Sequence, residues 1–193
     1  MDLHASLPLH KGYYKYKSGH IYYEIKGKGA PLLLIPGGSG DCWWLHKIAD
    51  ALSGNFQVIS YDLYGKARSI THTPSNIDIN QFAKDAINLV TALGLEKVYI
   101  VGVSSGAVIA LDIAEKYPAY VKEMIVFEPP LICIHPRFDA LSKHFAKVYL
   151  TALKWGESIA GLRFALGTGL PIAPILRSGS AYKDHLKIVP IPV

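Results

Sequence analysis

Residues 98–118 read Val98-Tyr-Ile-Val-Gly-Val-Ser-Ser-Gly-Ala-Val-Ile-Ala-Leu-Asp-Ile-Ala-Glu-Lys-Tyr-Pro118. Val98–Val103 is a short, β-branched apolar run, the pattern of a strand buried on both faces. Ser105–Tyr117 is strongly apolar, long enough for a helix, and is stopped by Pro118. Only Gly102-Val-Ser104-Ser-Gly106 separates the two, so the chain must reverse from strand to helix in a sharp turn. G-x-S-x-G in that context places Ser104 in a strained backbone, with its hydroxyl above the carboxyl end of a sheet and at the positive end of a helix. Side chains at positions 102 and 106 are expected to collide with neighbouring elements.

Outward from this turn the chain alternates strand and helix. Leu32–Ile35 is a buried strand closed by Pro36-Gly37-Gly38. A helix is expected over 42–52, ended by Gly54, and Phe56–Tyr61 is the next buried strand. Asp78 caps a helix with Gln81 as its box partner. Phe82, Ala86, Leu89, Val90 and Leu93 form the helix's apolar stripe, and Gly94 takes the C′ position. Val121–Phe127 is a fourth strand. This alternation implies a mostly parallel sheet with helices on both faces. Upstream, 13–17 and 21–26 alternate around Ser18-Gly19-His20 and read as a hairpin. After Glu128-Pro-Pro130 strand runs cease, and helical stretches around 140–153 and 158–166 suggest an inserted cap. The expected organisation is a core over 1–129, a helical cap or lid over 130–185, and the start of a post-cap strand over 186–193.

Composition narrows the class. The chain has 193 residues, 50% hydrophobic and 18% charged, which excludes disorder. No apolar run approaches the roughly 18 residues that cross a bilayer, and Met1-Asp-Leu-His4 lacks a signal-peptide pattern. The formal charge of +5 is concentrated in Lys11, Lys15, Lys17, Lys26 and Lys28 among tyrosines. This reads as the solvated edge of the hairpin, not as a nucleic-acid surface. Cys42 and Cys133 have neither metal nor redox spacing, which points to a reducing, cytoplasmic setting. No metal or cofactor is expected: Gly38-Ser-Gly40 lacks the third glycine of a dinucleotide loop and the Gly-Lys-Ser/Thr of a P-loop.

Acyl transfer at Ser104 needs two backbone N–H groups aimed at the developing oxyanion. Ser105 and Gly38 are the candidates, glycine letting the backbone approach the substrate. Asp62, at the end of its strand, is expected to organise a loop by capping turn N–H groups.

The stretch from Tyr22 to Pro130 resembles the α/β-hydrolase superfamily. Pro36-Gly37-Gly38 stands where the family usually has His-Gly, and Asp62-Leu-Tyr-Gly-Lys-Ala-Arg-Ser69 is similar to its D-x-R-G-x-G-x-S loop. Gly102–Gly106 matches the nucleophile elbow, and Glu128-Pro-Pro130 the entry to its cap. Ala67 replaces the loop's second glycine, and Pro36 replaces the histidine. A serine at the elbow speaks against the dehalogenase and epoxide-hydrolase branches, which use a carboxylate.

The resemblance implies the chain order Ser, Asp/Glu, His, with the last two beyond the post-cap strand. Those positions are expected past residue 193, about two strand–helix units on, roughly 60 residues. Of the histidines, only His135, His144 and His185 follow Ser104, and each reads as a surface or cap residue. Glu128, at the end of the strand next after the nucleophile's, is the substitute candidate for the acid, against the alternative that it only anchors the cap entry. Two functions follow. One is a serine hydrolase acting on a small carboxylic ester or related acyl compound. The other is a catalytically incomplete hydrolase fold that binds, or draws its acid and His from a partner. Self-association or complementation is expected through the C-terminal strand edge near Ile188–Val193, since an unpaired apolar edge seeks a partner.

Overall fold

The computed structural model describes residues 9–72 and 78–169. Two compact units divide the chain at Pro130/Leu131. The first is built on a six-stranded sheet in the order β1-β2-β4-β3-β5-β6. The strands are β1 (Leu9–Tyr16), β2 (Gly19–Lys26), β3 (Ala30–Ile35), β4 (Phe56–Tyr61), β5 (Val98–Val103) and β6 (Val121–Phe127). β1 and β2 form the expected hairpin, and β2 pairs antiparallel with β4. β4, β3, β5 and β6 run parallel.

Alternation along the central strands decides which helix covers which face. Leu32, Leu34 and Val58 pack under Leu45 and Ala49, the latter on helix α1 (His46–Leu52). Leu33, Ile35, Ile59 and Ile100 point to the other face. There they meet α2 (Ile79–Ala92) through Ala86, Leu89 and Val90, and α3 (Ser105–Lys116) through Ile109, Ala110 and Ile113. β6 ends the sheet among the described strands, with Ile125 65% and Phe127 57% exposed.

Local chemistry sets the boundaries. The segment expected as one helix over 42–52 opens as a 3₁₀ turn, Cys42–Leu45, capped by Asp41, whose carboxylate accepts from Trp43 N at 2.8 Å. The Asp78 carboxylate accepts from Gln81 N at 2.8 Å at the start of α2. The Gln81 side chain does not return to Asp78; it donates to Asp85 one turn on. At the other end Gly94 has φ +72°, with Leu95 N donating to Val90 O and Gly94 N to Thr91 O, the paired bonds of a Schellman motif.

The second unit is described by itself. A 3₁₀ turn, Ile132–Ile134, precedes α4 (Phe138–Trp155) and α5 (Glu157–Thr168), with Gly156 at φ +83° making the corner. Phe145 and Phe164 meet at 5.9 Å, and Arg163 donates to Thr151. A Cβ on Gly167 would strike the His144 ring, so glycine there lets the two helices close. The expected strand over 186–193 and His185 lie outside the described residues. Among the described residues no helix is long and apolar enough to cross a membrane.

One buried carboxyl makes stability depend on pH. Asp85 is 1% exposed. Burial pushes its pKa up, opposed by hydrogen bonds from Tyr16 and Gln81 and by the Lys17 ammonium 3.6 Å away. A carboxyl raised in the folded state favours folding below its unfolded pKa, near 3.8, and loses that contribution as pH rises through the folded value. In thermal unfolding from pH 3 to 7, Asp85→Asn is therefore expected to gain on the wild type as pH rises. A pH-independent difference would contradict this.

Candidate active site

The turn after β5 has the strained geometry that the G-x-S-x-G spacing predicts. Ser104 sits at φ +56° and ψ −123°, a region L-residues rarely occupy. Three features hold it there. Ser104 N donates to Phe127 O of β6 at 2.9 Å, and Ala107 N donates to Ser104 O at 2.9 Å. An ideal Cβ on Gly102 would lie 2.4 Å from Gly106 O, and one on Gly106 would lie 2.4 Å from both Ile35 O and Pro36 O. The two glycines let α3 descend onto β5 and onto the end of β3, as expected from the sequence.

That descent sets the glycine loop beside the serine. A Cβ built on Gly37 would come within 3.2 Å of Ser104 Cβ and 3.8 Å of its Oγ, and one on Gly38 within 4.0 Å of Ser105 Oγ. Pro36-Gly37-Gly38, Ser104 and Ser105 are thus brought together at the carboxyl ends of β3 and β5. Ser104 and Ser105 are both half-buried. Glu128 follows Phe127, whose carbonyl holds Ser104 N. It is exposed and has φ +50°, another left-handed non-glycine backbone.

The described histidines make other contacts. Among the described residues none hydrogen-bonds Ser104. His46 Nδ1 bonds Trp43 O at 2.6 Å, and its ring stacks on Trp43. His135 Nδ1 accepts from Arg137 N, and His144 packs against Phe145 in the second unit.

Behind the glycine loop lies a buried ionic cluster whose extent the sequence did not reveal. Asp62 takes the loop-organising role expected of it, accepting from Cys42 N and Arg68 N, both at 2.9 Å. The same carboxylate takes a two-pronged pair from Arg68, Nε at 2.7 Å and Nη2 at 2.8 Å. Arg68 stands at an unspecified position of the D-x-R-G-x-G-x-S pattern, and Tyr64 occupies the place of the pattern's arginine. Ser69 Oγ accepts from Tyr22 N and donates to Asp62 O, which ties the loop to β2.

Ligand atoms of Asp41, Cys42 and Asp62 lie within 4.8 Å of one another. The group is ill suited to a cation, because the Arg68 guanidinium already sits against all three. Burial, followed by Asp62, pushes the Cys42 thiol well above its ordinary pKa, so it stays a neutral, weak ligand.

A mixed sheet with this strand order, helices on both faces and a serine on a left-handed strand–helix turn defines the architecture of a hydrolase fold. The α/β-hydrolase fold family model matches residues 30–152, and the chain belongs to that family. It is 32% identical over 127 residues to "Uncharacterized hydrolase YraK" of Bacillus subtilis (strain 168), covering 65% of this chain and 47% of that protein. It is also 32% identical over 111 residues to "Putative carbamate hydrolase RutD" of Agrobacterium fabrum, covering 55% and 42% of the two chains. Among solved structures, an α/β-hydrolase enzyme from a Medee basin deep-sea metagenome library, MGS-M2, aligns with a TM-score of 0.55 at 27% identity, over 58% of this chain and 42% of that one. The chain spans about half the length of the curated relatives it matches.

The contacts around the elbow predict unequal responses to a single methyl group. Gly106→Ala is expected to cost about 1–3 kcal/mol in chemical denaturation, as overpacking against backbone does. Gly54→Ala, with nothing within 4 Å of the added carbon, should change stability by less than about 1 kcal/mol. Equal effects would show that the elbow is not held as described.

Proposed function

We propose that the protein is a serine hydrolase acting on a small carboxylic ester or related acyl compound, with Ser104 as nucleophile. The observation that carries this reading is the left-handed Ser104 backbone, with Gly37–Gly38 within a few ångströms. Strain of this kind persists only where surrounding contacts impose it, and it concentrates at reactive positions.

In the proposed reaction Ser104 Oγ bonds to the acyl carbon and gives its proton to a base. The carbonyl π pair moves onto oxygen, and the N–H groups of Gly38 and Ser105 receive the oxyanion. The tetrahedral adduct collapses with loss of the alcohol or amine, which takes the proton from the base. Water then cleaves the acyl-enzyme by the same steps. Removing one oxyanion donor from such a site typically costs 10²–10³ in rate.

No histidine among the described residues hydrogen-bonds Ser104, and the chain order that the resemblance implies would have the base, with the usual acid, further along the chain. Glu128 serves as acid in this scheme only if that order is departed from. Its support is its position on the residue after Phe127. The relatives named as a hydrolase and as a carbamate hydrolase support hydrolysis at an acyl or carbamoyl carbon.

A second reading has its own observation. Met124, Ile125 and Phe127 of β6, at the end of the sheet among the described strands, are exposed, as in a catalytically incomplete module that binds a partner. A fluorophosphonate probe with intact-mass detection separates the two. One adduct per chain is expected on the wild type and none on Ser104→Ala, which should keep its stability within about 0.5 kcal/mol. An unlabelled but folded wild type would overturn the catalytic reading.

A further inference from the structure

The Gly37–Gly40 loop has almost no side chains with which to fix itself. Two backbone bonds hold it, Gly40 N to Gly37 O at 2.9 Å and Leu63 N to Gly40 O at 2.8 Å, and its one side chain, Ser39, adds only a long bond, accepting from Asp41 N at 3.4 Å. An oxyanion donor is effective only if its position is set before the charge develops, so the restraint must come from outside the loop.

Arg68 is placed to supply it. Its side chain is 7% exposed, and its guanidinium faces three carboxylates. Two are fully buried: Asp62, which it grips with two nitrogens, and Asp41, reached by Nη2 at 3.1 Å. The third is Glu24 of β2, reached by Nη1 at 3.3 Å. The Tyr22 ring lies 3.8 Å from the guanidinium carbon. Asp41 is the residue directly after Gly40 and caps the next turn through Trp43 N. Asp62 belongs to the loop after β4 and holds Cys42 N, beside Asp41. One planar cation therefore joins the loop after β3, the loop after β4 and strand β2.

Satisfying the guanidinium does not by itself require the glycine loop, since the two-pronged Asp62 pair and Glu24 already supply acceptors. The reach to Asp41 is the contact that bears on the loop. A lysine could not reproduce it, because an ammonium is a single point and cannot grip one carboxylate with two nitrogens while reaching a second.

We propose that Arg68 is a positioning residue which, by bridging Asp62 and Asp41, fixes the glycine loop and with it the Gly38 N–H that receives the oxyanion. The catalytic half of this statement rests on Ser104 being the nucleophile; the clamp itself does not.

The test uses the full chain carrying Arg68→Lys or Asp41→Asn. The second variant keeps an oxygen to cap Trp43 N, removes the charge facing the guanidinium and puts an amide NH2 in place of the second carboxylate oxygen. Two quantities are measured: amide hydrogen exchange across 37–42, with α2 as the internal control, and the rate at which a fluorophosphonate labels Ser104. Both variants should exchange at Gly40 and Cys42 at least tenfold faster than the wild type, with α2 unchanged, and should label at least tenfold more slowly. Unchanged exchange over 37–42 overturns the clamp. A loosened loop with labelling within twofold of the wild type overturns its catalytic role. If the wild type is not labelled at all, the nucleophile reading fails, and the exchange measurement still decides whether Arg68 holds the loop.

Discussion

The sharp passage from β5 into α3 is the constraint on which the rest of the first unit depends. Ser104 can hold a left-handed backbone only because Gly102 and Gly106 carry no Cβ, and because Phe127 O receives its N–H. The same two glycines bring α3 down onto β5 and onto the carbonyls of Ile35 and Pro36, so the strain at the serine and the packing of a core helix have one cause. The α3 side chains Ile109, Ala110 and Ile113 then meet Leu33, Ile35 and Ile100. Burial of that apolar surface is what keeps the unfavourable turn in place.

Much of this could be read from the residues, for definable reasons. Leu32–Ile35, Phe56–Tyr61 and Val98–Val103 are short apolar runs bounded by Gly, Pro or polar residues, and their length and bounds favour a strand buried on both faces over a buried helix. Asp78 and Gly94 announce the ends of α2 because their roles are local, settled within a turn of backbone. The elbow was legible because collision of backbones excludes most residue types at positions 102 and 106.

What was not legible depends on partners distant in sequence. Cys-Trp-Trp-Leu at 42–45 reads as the start of a helix, and only the Asp41 cap and the bond from Cys42 N to Asp62, twenty residues away, show that it forms a 3₁₀ turn. Gln81 has the spacing of a box partner, yet the buried carboxylate of Asp85 draws its amide away from the helix end. Arg68 stands 44 residues from Glu24 and 27 from Asp41, so its burial among carboxylates leaves no periodic trace. The one local hint is an arginine four positions after the place where the D-x-R-G-x-G-x-S pattern expects it.

The central claim is that Ser104 and the N–H groups of Gly38 and Ser105 converge on one reacting acyl carbon. A crystal structure of the protein soaked with a small boronic acid tests this most directly, because tetrahedral boron on a serine mimics the adduct. The account predicts boron bonded to Ser104 Oγ, with one boronate oxygen about 2.7–3.1 Å from both Gly38 N and Ser105 N. Boron on another residue, or a boronate oxygen turned away from those two amides, would contradict it.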